Sequence, residues 1–430
     1  MGGAVRVKGD LHRAETAIMR VALFGFGTRG DVQPLIALGK RLCRDGHEVV
    51  LGASPGFRQW VEGQGLEFRS VGLEIRAWVD AHGDALSRHP ARLLAMAIGF
   101  LRKDIARSFP ETLEAAEGAD VIASGVHGAA PSVAEALGIP HRSLLYCPQI
   151  LPSREHPPMG FSATALPRPL HRISWLAARA VSGWVLKPAI DAGRRSLGLA
   201  AIRDTLDHLI GERPILACDP ALAAAPRDAP PATLQTPSLV LEDATPLAPG
   251  LESFLRSGDP PICVGFGSMG DGDPEATTRL LWEAIAARRR VLVLGGWGGL
   301  GAGEHPRDVF FLPSTPHARV FPRCSLVIHH GGAGTTTAAT RAGVPQIVVP
   351  HAADQVYWGQ RIVQLGLGPR PIPRPRLTAA RLASAISAIE SHPEFAARAR
   401  ALAARIGNAD GAIVVAAELA REAPRLRARA

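Results

Sequence analysis

The sequence predicts an α/β fold of two domains in series, each a parallel sheet with helices on both faces. Two observations predict it. An apolar strand runs into a glycine loop at 21–31, V-A-L-F-G-F-G-T-R-G-D, and the same figure returns at 262–271 as I-C-V-G-F-G-S-M-G-D, with Gly25 and Gly265 240 positions apart. Strand and helix signals also alternate on both sides of a proline-dense stretch, as parallel sheets with crossover helices require. At 430 residues the chain is long for one core, because domains usually hold about 100–200 residues.

In the first domain Val21–Phe24 reads as a strand, and Pro34–Gly46 as a helix with Leu35, Leu38 and Leu42 on one face. Glu48–Ala53 is the next strand, 57–65 a helix, 77–109 mostly helical, and Val121–Ser124 a strand. Val133–Leu137 leads through Gly-Ile-Pro into a strand at Ser143–Tyr146. A basic helical segment, Arg168–Leu199, carries Trp175 and Trp184. Pro220, Pro226, Pro230, Pro231, Pro237, Pro246 and Pro249 then crowd a stretch that can continue neither a helix nor a central strand. The alternation restarts with strands at 262–266, 291–295, 309–312, 326–329 and 346–349, and helices at 274–287 and 335–342. Helices over 379–389, 393–405 and 411–422 close the chain. The expected divisions are a flexible extension (1–18), a first domain (19–218), a proline-rich linker (219–258) and a second domain (259–430).

Charge and cysteine usage exclude some classes. The net charge is +9, but residues 1–215 carry 26 Lys/Arg against 21 Asp/Glu and residues 216–430 carry 22 against 18. Neither half has the basic footprint that nucleic acid needs, so no nucleic-acid partner is expected. The five cysteines are scattered without a CxxC, which points to a reducing compartment. No apolar run reaches about 18 residues, and the first 18 residues lack the apolar core of a signal peptide. A cytoplasmic protein is expected.

The glycine loops first suggest a dinucleotide, which needs an acidic residue about 20 positions on to hold the ribose. The second strand ends Gly52-Ala53-Ser54 in one domain and Gly295-Gly296-Trp297 in the other, so both copies lack it. A third loop, L-V-I-H-H-G-G-A-G-T-T-T at 326–337, is more informative. Glycine N–H groups at a helix start form an anion site, and a histidine beside them donates to phosphate oxygens. Capping explains the threonines alone but not His-His beside three glycines. No Gly-Lys-[Ser/Thr] follows, so a P-loop is not supported. At 348–355, V-V-P-H-A-A-D-Q brings a carboxylate and an amide to another strand end, which suits a polyhydroxylated ligand.

H-H-G-G-A-G-T with the later Asp-Gln, the G-F-G-S-M loop and G-T-R-G-D-V-Q-P together resemble inverting, nucleotide-sugar-dependent glycosyltransferases of the GT-B architecture, most of all the sterol-glucosyltransferase and antibiotic-glycosyltransferase branch. The likeness runs from about Met19 to Ala420. It implies two Rossmann-like domains whose parallel sheets face each other across a cleft. It also implies that the donor diphosphate is held by His330, the N–H groups of Gly332, Gly334 and Thr335, and Ser268. His317 would meet the nucleotide base, and Asp354 and Gln355 the sugar hydroxyls. The ribose-binding glutamate of plant relatives is absent near Thr337–Ala338. Asp31 occupies the position of the general base, with a helix N-cap as its second reading. The implied reaction is a single in-line displacement with inversion, and the donor is a co-substrate rather than a cofactor. A metal held by Asp271-Gly272-Asp273 is not expected, because a glycine turn explains that triplet.

UDP-glucose is the first choice of donor and a dTDP-sugar the second. Trp78, Met96 and Phe100 are the candidates for a pocket holding a hydrophobic hydroxylated acceptor, such as a sterol, hopanoid, polyketide or carotenoid. Plain helix cores are the competing reading of these residues. The Trp175–Trp184 segment with Arg168, Arg172, Arg179 and Lys187 has a third, a basic amphipathic face in peripheral contact with the inner membrane surface. A sugar-nucleotide epimerase or hydrolase on the same scaffold, and an NAD(P)-dependent oxidoreductase, are the alternative functions. The sequence does not fix the oligomeric state.

Overall fold

The computed structural model describes residues 18–78, 90–161, 166–243, 246–269, 273–285, 289–297, 299–301 and 308–422. The expected extension, Asp271 of the Asp-Gly-Asp triplet and the start of the 77–109 helix lie outside them, wholly or in large part.

Two parallel sheets carry the fold. The first orders seven strands β3-β2-β1-β4-β5-β6-β7, with β1 at Arg20–Phe24, β2 at Glu48–Ala53, β3 at Glu67–Ser70, β4 at Val121–Ser124, β5 at His141–Leu145, β6 at Ile215–Ala217 and β7 at Leu234–Thr236. The second orders five strands β10-β9-β8-β11-β12, with β8 at Ile262–Gly265, β9 at Val291–Leu294, β10 at Val309–Leu312, β11 at Leu326–His329 and β12 at Gln346–Val348. In each sheet the order reverses beside the strand that feeds the glycine loop, β1 or β8. That switch point is where an open α/β sheet presents its crevice. Central strands such as β4 and β9 are buried along their whole length, which matches their apolar sequence, broken only by Ser124 at the end of β4.

Three differences from the sequence reading have local causes. The first helix begins at Arg29, not Pro34, because Thr28 and Asp31 form a capping box: Thr28 Oγ1 accepts from the N–H of Gly30 (3.3 Å), and the Thr28 N–H donates to Asp31 Oδ2 (2.7 Å). Asp31 is therefore not the N-cap but the third helical residue. The stretch 219–258 is not all linker, because β7 pairs with β6 in the first sheet. The helix Leu251–Arg256 likewise buries Leu251 and Leu255 in the second core. Three-residue strands next to prolines give no alternation to read.

The last helix, Gly411–Glu422, leaves the second domain and packs on the Arg29–Arg44 helix, where Ala412, Val415, Ala416 and Leu419 join the first core. Buried Arg142 of β5 pairs with its Glu418 (3.1 Å) and Glu422 (3.5 Å). Leu419→Ala is expected to cost about 2–5 kcal/mol as a fully buried leucine, measured as a lowered unfolding midpoint in urea.

The domains also meet directly. Arg341 pairs in a two-pronged manner with Asp219 (2.7 and 3.0 Å), and Arg361 Nε donates to the Leu222 carbonyl (2.6 Å). Trp358 is fully buried among Leu145, Leu151, Leu216 and Leu222 of the first domain.

Candidate functional site

Four loops at carboxyl ends of strands build the site: 25–31 after β1, 266–269 after β8, 330–335 after β11 and 349–355 after β12.

His330 lies between two of them. A Cβ at Gly267 would stand 2.9 Å from its Cε1, and one at Gly332 would overlap its Nε2, so glycine at both positions makes room for the ring. Burial, then the neighbouring His329, His351 and His317, lowers its pKa to about 3. It is neutral at pH 7 and acts by hydrogen bonding rather than charge. Its Nδ1 is buried and has no partner among the described residues, which marks a polar atom waiting for a ligand. His329 serves structure instead: its Nε2–H donates to Gln346 Oε1 (2.9 Å) and its Nδ1 accepts from the Gly331 N–H (3.0 Å).

Gly332 caps the helix Ala333–Arg341, whose first turn offers N–H groups to the same space. That of Ala333 bonds the Asp354 carboxylate. Those of Gly334 and Thr335, expected on the diphosphate, follow in the same turn. No Cβ contact would crowd Gly334, so a ligand can approach its backbone.

Asp354 is held by Trp358, whose Nε1 donates to Oδ2 (3.0 Å). Its pKa is raised to about 6 by burial, opposed by the Trp358 bond and assisted by the charge of Asp31 across the cleft. The residue before it, Ala353, has φ +54°, an unfavourable backbone for a residue with a Cβ. The Ala353 carbonyl accepts from the Gly160 N–H of the other domain (3.1 Å). Gln355 is engaged within the protein. Its Oε1 accepts from the His351 and Ala352 N–H groups (2.7 and 3.1 Å), and its amide meets the Met269 sulfur (3.1 Å). It braces two loops. Ser268 lies in one of them, beside Met269.

Asp31 faces these groups from the first domain. Burial pushes its pKa up to about 6, against the hydrogen bonds from Thr28. A side chain on Gly27, which has φ +128°, would collide with its Oδ2, so glycine there lets the carboxylate fold back over the loop. His317 stacks on Phe321 (4.4 Å, 13°), and burial with the nearby Arg29 lowers its pKa to about 4. Arg76 of the first domain lies 5.7 Å over the Trp297 ring of the second. Trp78 and Phe100 touch (5.0 Å between ring centroids), with Met96 one turn before Phe100. Asp273 caps the Pro274–Ile285 helix through the Ala276 N–H (2.8 Å).

Sequence reading missed Tyr146. It directly follows β5, its hydroxyl is buried without a partner among the described residues, and both burial and the charge of Asp31 raise its pKa. Trp358, which holds Asp354, was missed as well; an aromatic in a helix gives no sign of its partner.

Buried histidines set the acid response. His127 and His208 are lowered to about 4 and His141 to about 3, each chiefly by burial, as are His329 (about 4) and His330 (about 3). Their folded values lie below the unfolded value of about 6.5, so the stability they hold is full above that pH and is lost as pH falls towards 4. Asp31 and Asp354, raised to about 6, work in the opposite direction between about pH 6 and 4. The histidines outnumber them. The melting temperature is expected to fall steadily from pH 7 to pH 5, read by scanning calorimetry.

Comparison with known proteins agrees with this geometry. Residues 21–152 match the glycosyltransferase family 28 N-terminal domain, and residues 300–420 the erythromycin biosynthesis protein CIII-like C-terminal domain. The chain is 36% identical over 396 residues to a vancomycin aglycone glucosyltransferase of Amycolatopsis orientalis, covering 89% of this chain and 92% of that protein. It is 33% identical over 394 residues to a sterol 3-beta-glucosyltransferase of Arabidopsis thaliana, covering 86% of this chain and 62% of the relative. Among solved structures, the glycosyltransferase VinC in complex with dTDP superposes with a TM-score of 0.66 at 21% identity, over 95% of this chain and all of that one. The chain belongs to the GT-B glycosyltransferases, in the branch that holds antibiotic glycosyltransferases and sterol glucosyltransferases.

Proposed function

We propose that the protein transfers a hexose from a nucleoside-diphosphate sugar to a hydroxyl of a hydrophobic small molecule or lipid, by in-line displacement with inversion and without a required metal. The observation that carries this reading is the pairing across the cleft of Asp31, with its raised pKa, with Asp354 and the neutral His330 beside a helix N-terminus. Asp31 takes the proton from the acceptor hydroxyl as its oxygen bonds to the anomeric carbon. The bond to the diphosphate breaks on the far side. Charge gathers on the leaving phosphates, where His330 and the N–H groups of Gly334 and Thr335 stabilise it. Asp354 holds a sugar hydroxyl, and Gln355 keeps the Asp354 loop in place.

UDP-glucose and then a dTDP-sugar are the donors to try first, since one relative is named a glucosyltransferase and one neighbouring structure holds dTDP. Trp78, Met96 and Phe100 form the acceptor wall in this reading. The Tyr146 hydroxyl, beside Asp31, donates to the acceptor oxygen. Tyr146→Phe is expected to lower kcat about tenfold while leaving donor KM unchanged, as for loss of one positioned hydrogen bond. The reaction itself is tested by nucleoside diphosphate release from each donor with a panel of hydroxylated acceptors, in the presence of a chelator. Transfer to an acceptor supports the proposal. Release that is equally fast without any acceptor supports a hydrolase instead.

A further inference from the structure

The helix Arg168–Ser196 has one buried and one bare face. His171, Trp175, Ala189 and Ile190 point inward, and Trp175 Nε1 donates to the His156 carbonyl (2.9 Å). On the opposite side Leu170, Ile173, Leu176, Val181 and Trp184 are exposed, at 41–64% of their full surface. These five recur at helical spacing along about 21 Å of the helix, at 1.5 Å per residue. A contiguous apolar stripe of that length on a soluble surface marks a binding face.

The surrounding charge identifies what it binds. The helix carries six Lys/Arg and one acidic residue, Asp191; Arg179, Lys187 and Arg194 are paired with carboxylates of the protein, which leaves Arg168, Arg172 and Arg195 exposed. Arg168 and Arg172 are exposed in the first turns of the same helix, at the end where the stripe begins. Arg102, from the neighbouring helix, lies 5.8 Å over the Trp184 ring and places a cation where the stripe ends. An isologous dimer through this face would bring like charges together. An anionic bilayer surface matches both features, with apolar side chains and an indole at the headgroup level and arginines on the phosphates. The connection leading into the helix from the cleft rim also exposes Met159 and Phe161, and that rim is tied to the Asp354 loop by the bond between Gly160 and Ala353.

We propose that this helix docks the protein on an anionic phospholipid surface, with the stripe Leu170–Trp184 entering the interface and Arg168 and Arg172 pairing with lipid phosphates. The docked orientation brings the cleft rim towards the lipid. This inference stands apart from the donor and acceptor assignments, because it is read without turnover.

The test is sedimentation of the full chain with vesicles of equimolar phosphatidylglycerol and phosphatidylcholine, and with phosphatidylcholine alone. The protein is expected to pellet with the mixed vesicles and to bind the neutral ones about tenfold more weakly. Ile173→Glu with Trp184→Glu is expected to reduce pelleting about tenfold. The melting temperature should not change, because both side chains are exposed. Arg168→Glu with Arg172→Glu is a second, independent variant and should remove the preference for phosphatidylglycerol. Protein that stays in the supernatant with both vesicle types overturns the proposal, as do variants that pellet like the parent. So does a dimer in solution that Ile173→Glu with Trp184→Glu splits into monomers, because the stripe would then be a self-association face.

Discussion

Asp31→Asn is expected to lower kcat about 10²- to 10⁴-fold, the usual contribution of a positioned general base, with donor KM unchanged. Asparagine keeps the oxygen that accepts the Thr28 N–H, so the capping box survives and the first helix keeps its start. What is lost is the ability to take a proton. The pKa of about 6 also fixes the pH dependence. Asp31 acts as its anion, so kcat should rise with pH through about 6 and level off above 7. Steady-state kinetics over that range check both claims. A variant with parental kcat would remove Asp31 from the chemistry.

His330→Ala is expected to weaken donor binding about 10- to 100-fold, the loss of a hydrogen bond to a charged phosphate. The ring is flanked by Gly267 and Gly332, so the deletion leaves a gap in the proposed donor site and not in either hydrophobic core. Donor KM is therefore expected to rise far more than the melting temperature of the free protein falls. His330→Gln, which can still donate, should recover part of the affinity. Because the imidazole is neutral from about pH 3 upward, donor KM should be flat between pH 6 and 8. A KM that climbs with pH across that window would mean that a charged histidine is needed.

Much of this was legible in the sequence, for reasons that differ from residue to residue. The repeated strand and glycine loop gave both sheets, because unbroken apolar runs are what buried parallel strands look like. His330, Gly332 and Asp354 stood out because their chemistry is unusual at a strand end. Asp31 was singled out, but the start of its helix was misplaced by five residues, since Pro34 is a stronger local signal than the box formed by Thr28 and Asp31. Gln355 looked like a sugar ligand, and the fold spends its oxygen on two backbone N–H groups. Tyr146 and Trp358 could not be found, because each gains its meaning from a partner more than 100 positions away or on another turn of its own helix. The same holds for β7 and the last helix, whose places depend on packing across the domain boundary.

The most direct measurement is thermal stabilisation of the full chain by UDP and by dTDP in excess chelator, with NAD(P) as the control. A ligand at 100 times its Kd stabilises the folded state by about 2.7 kcal/mol, a shift well within reach of calorimetry. A rise in melting temperature with at least one nucleoside diphosphate in chelator, and none with NAD(P), is the expected result. A rise that appears only when a divalent metal is restored, or none with either nucleotide, would contradict a metal-independent donor site built on His330 and the helix it precedes.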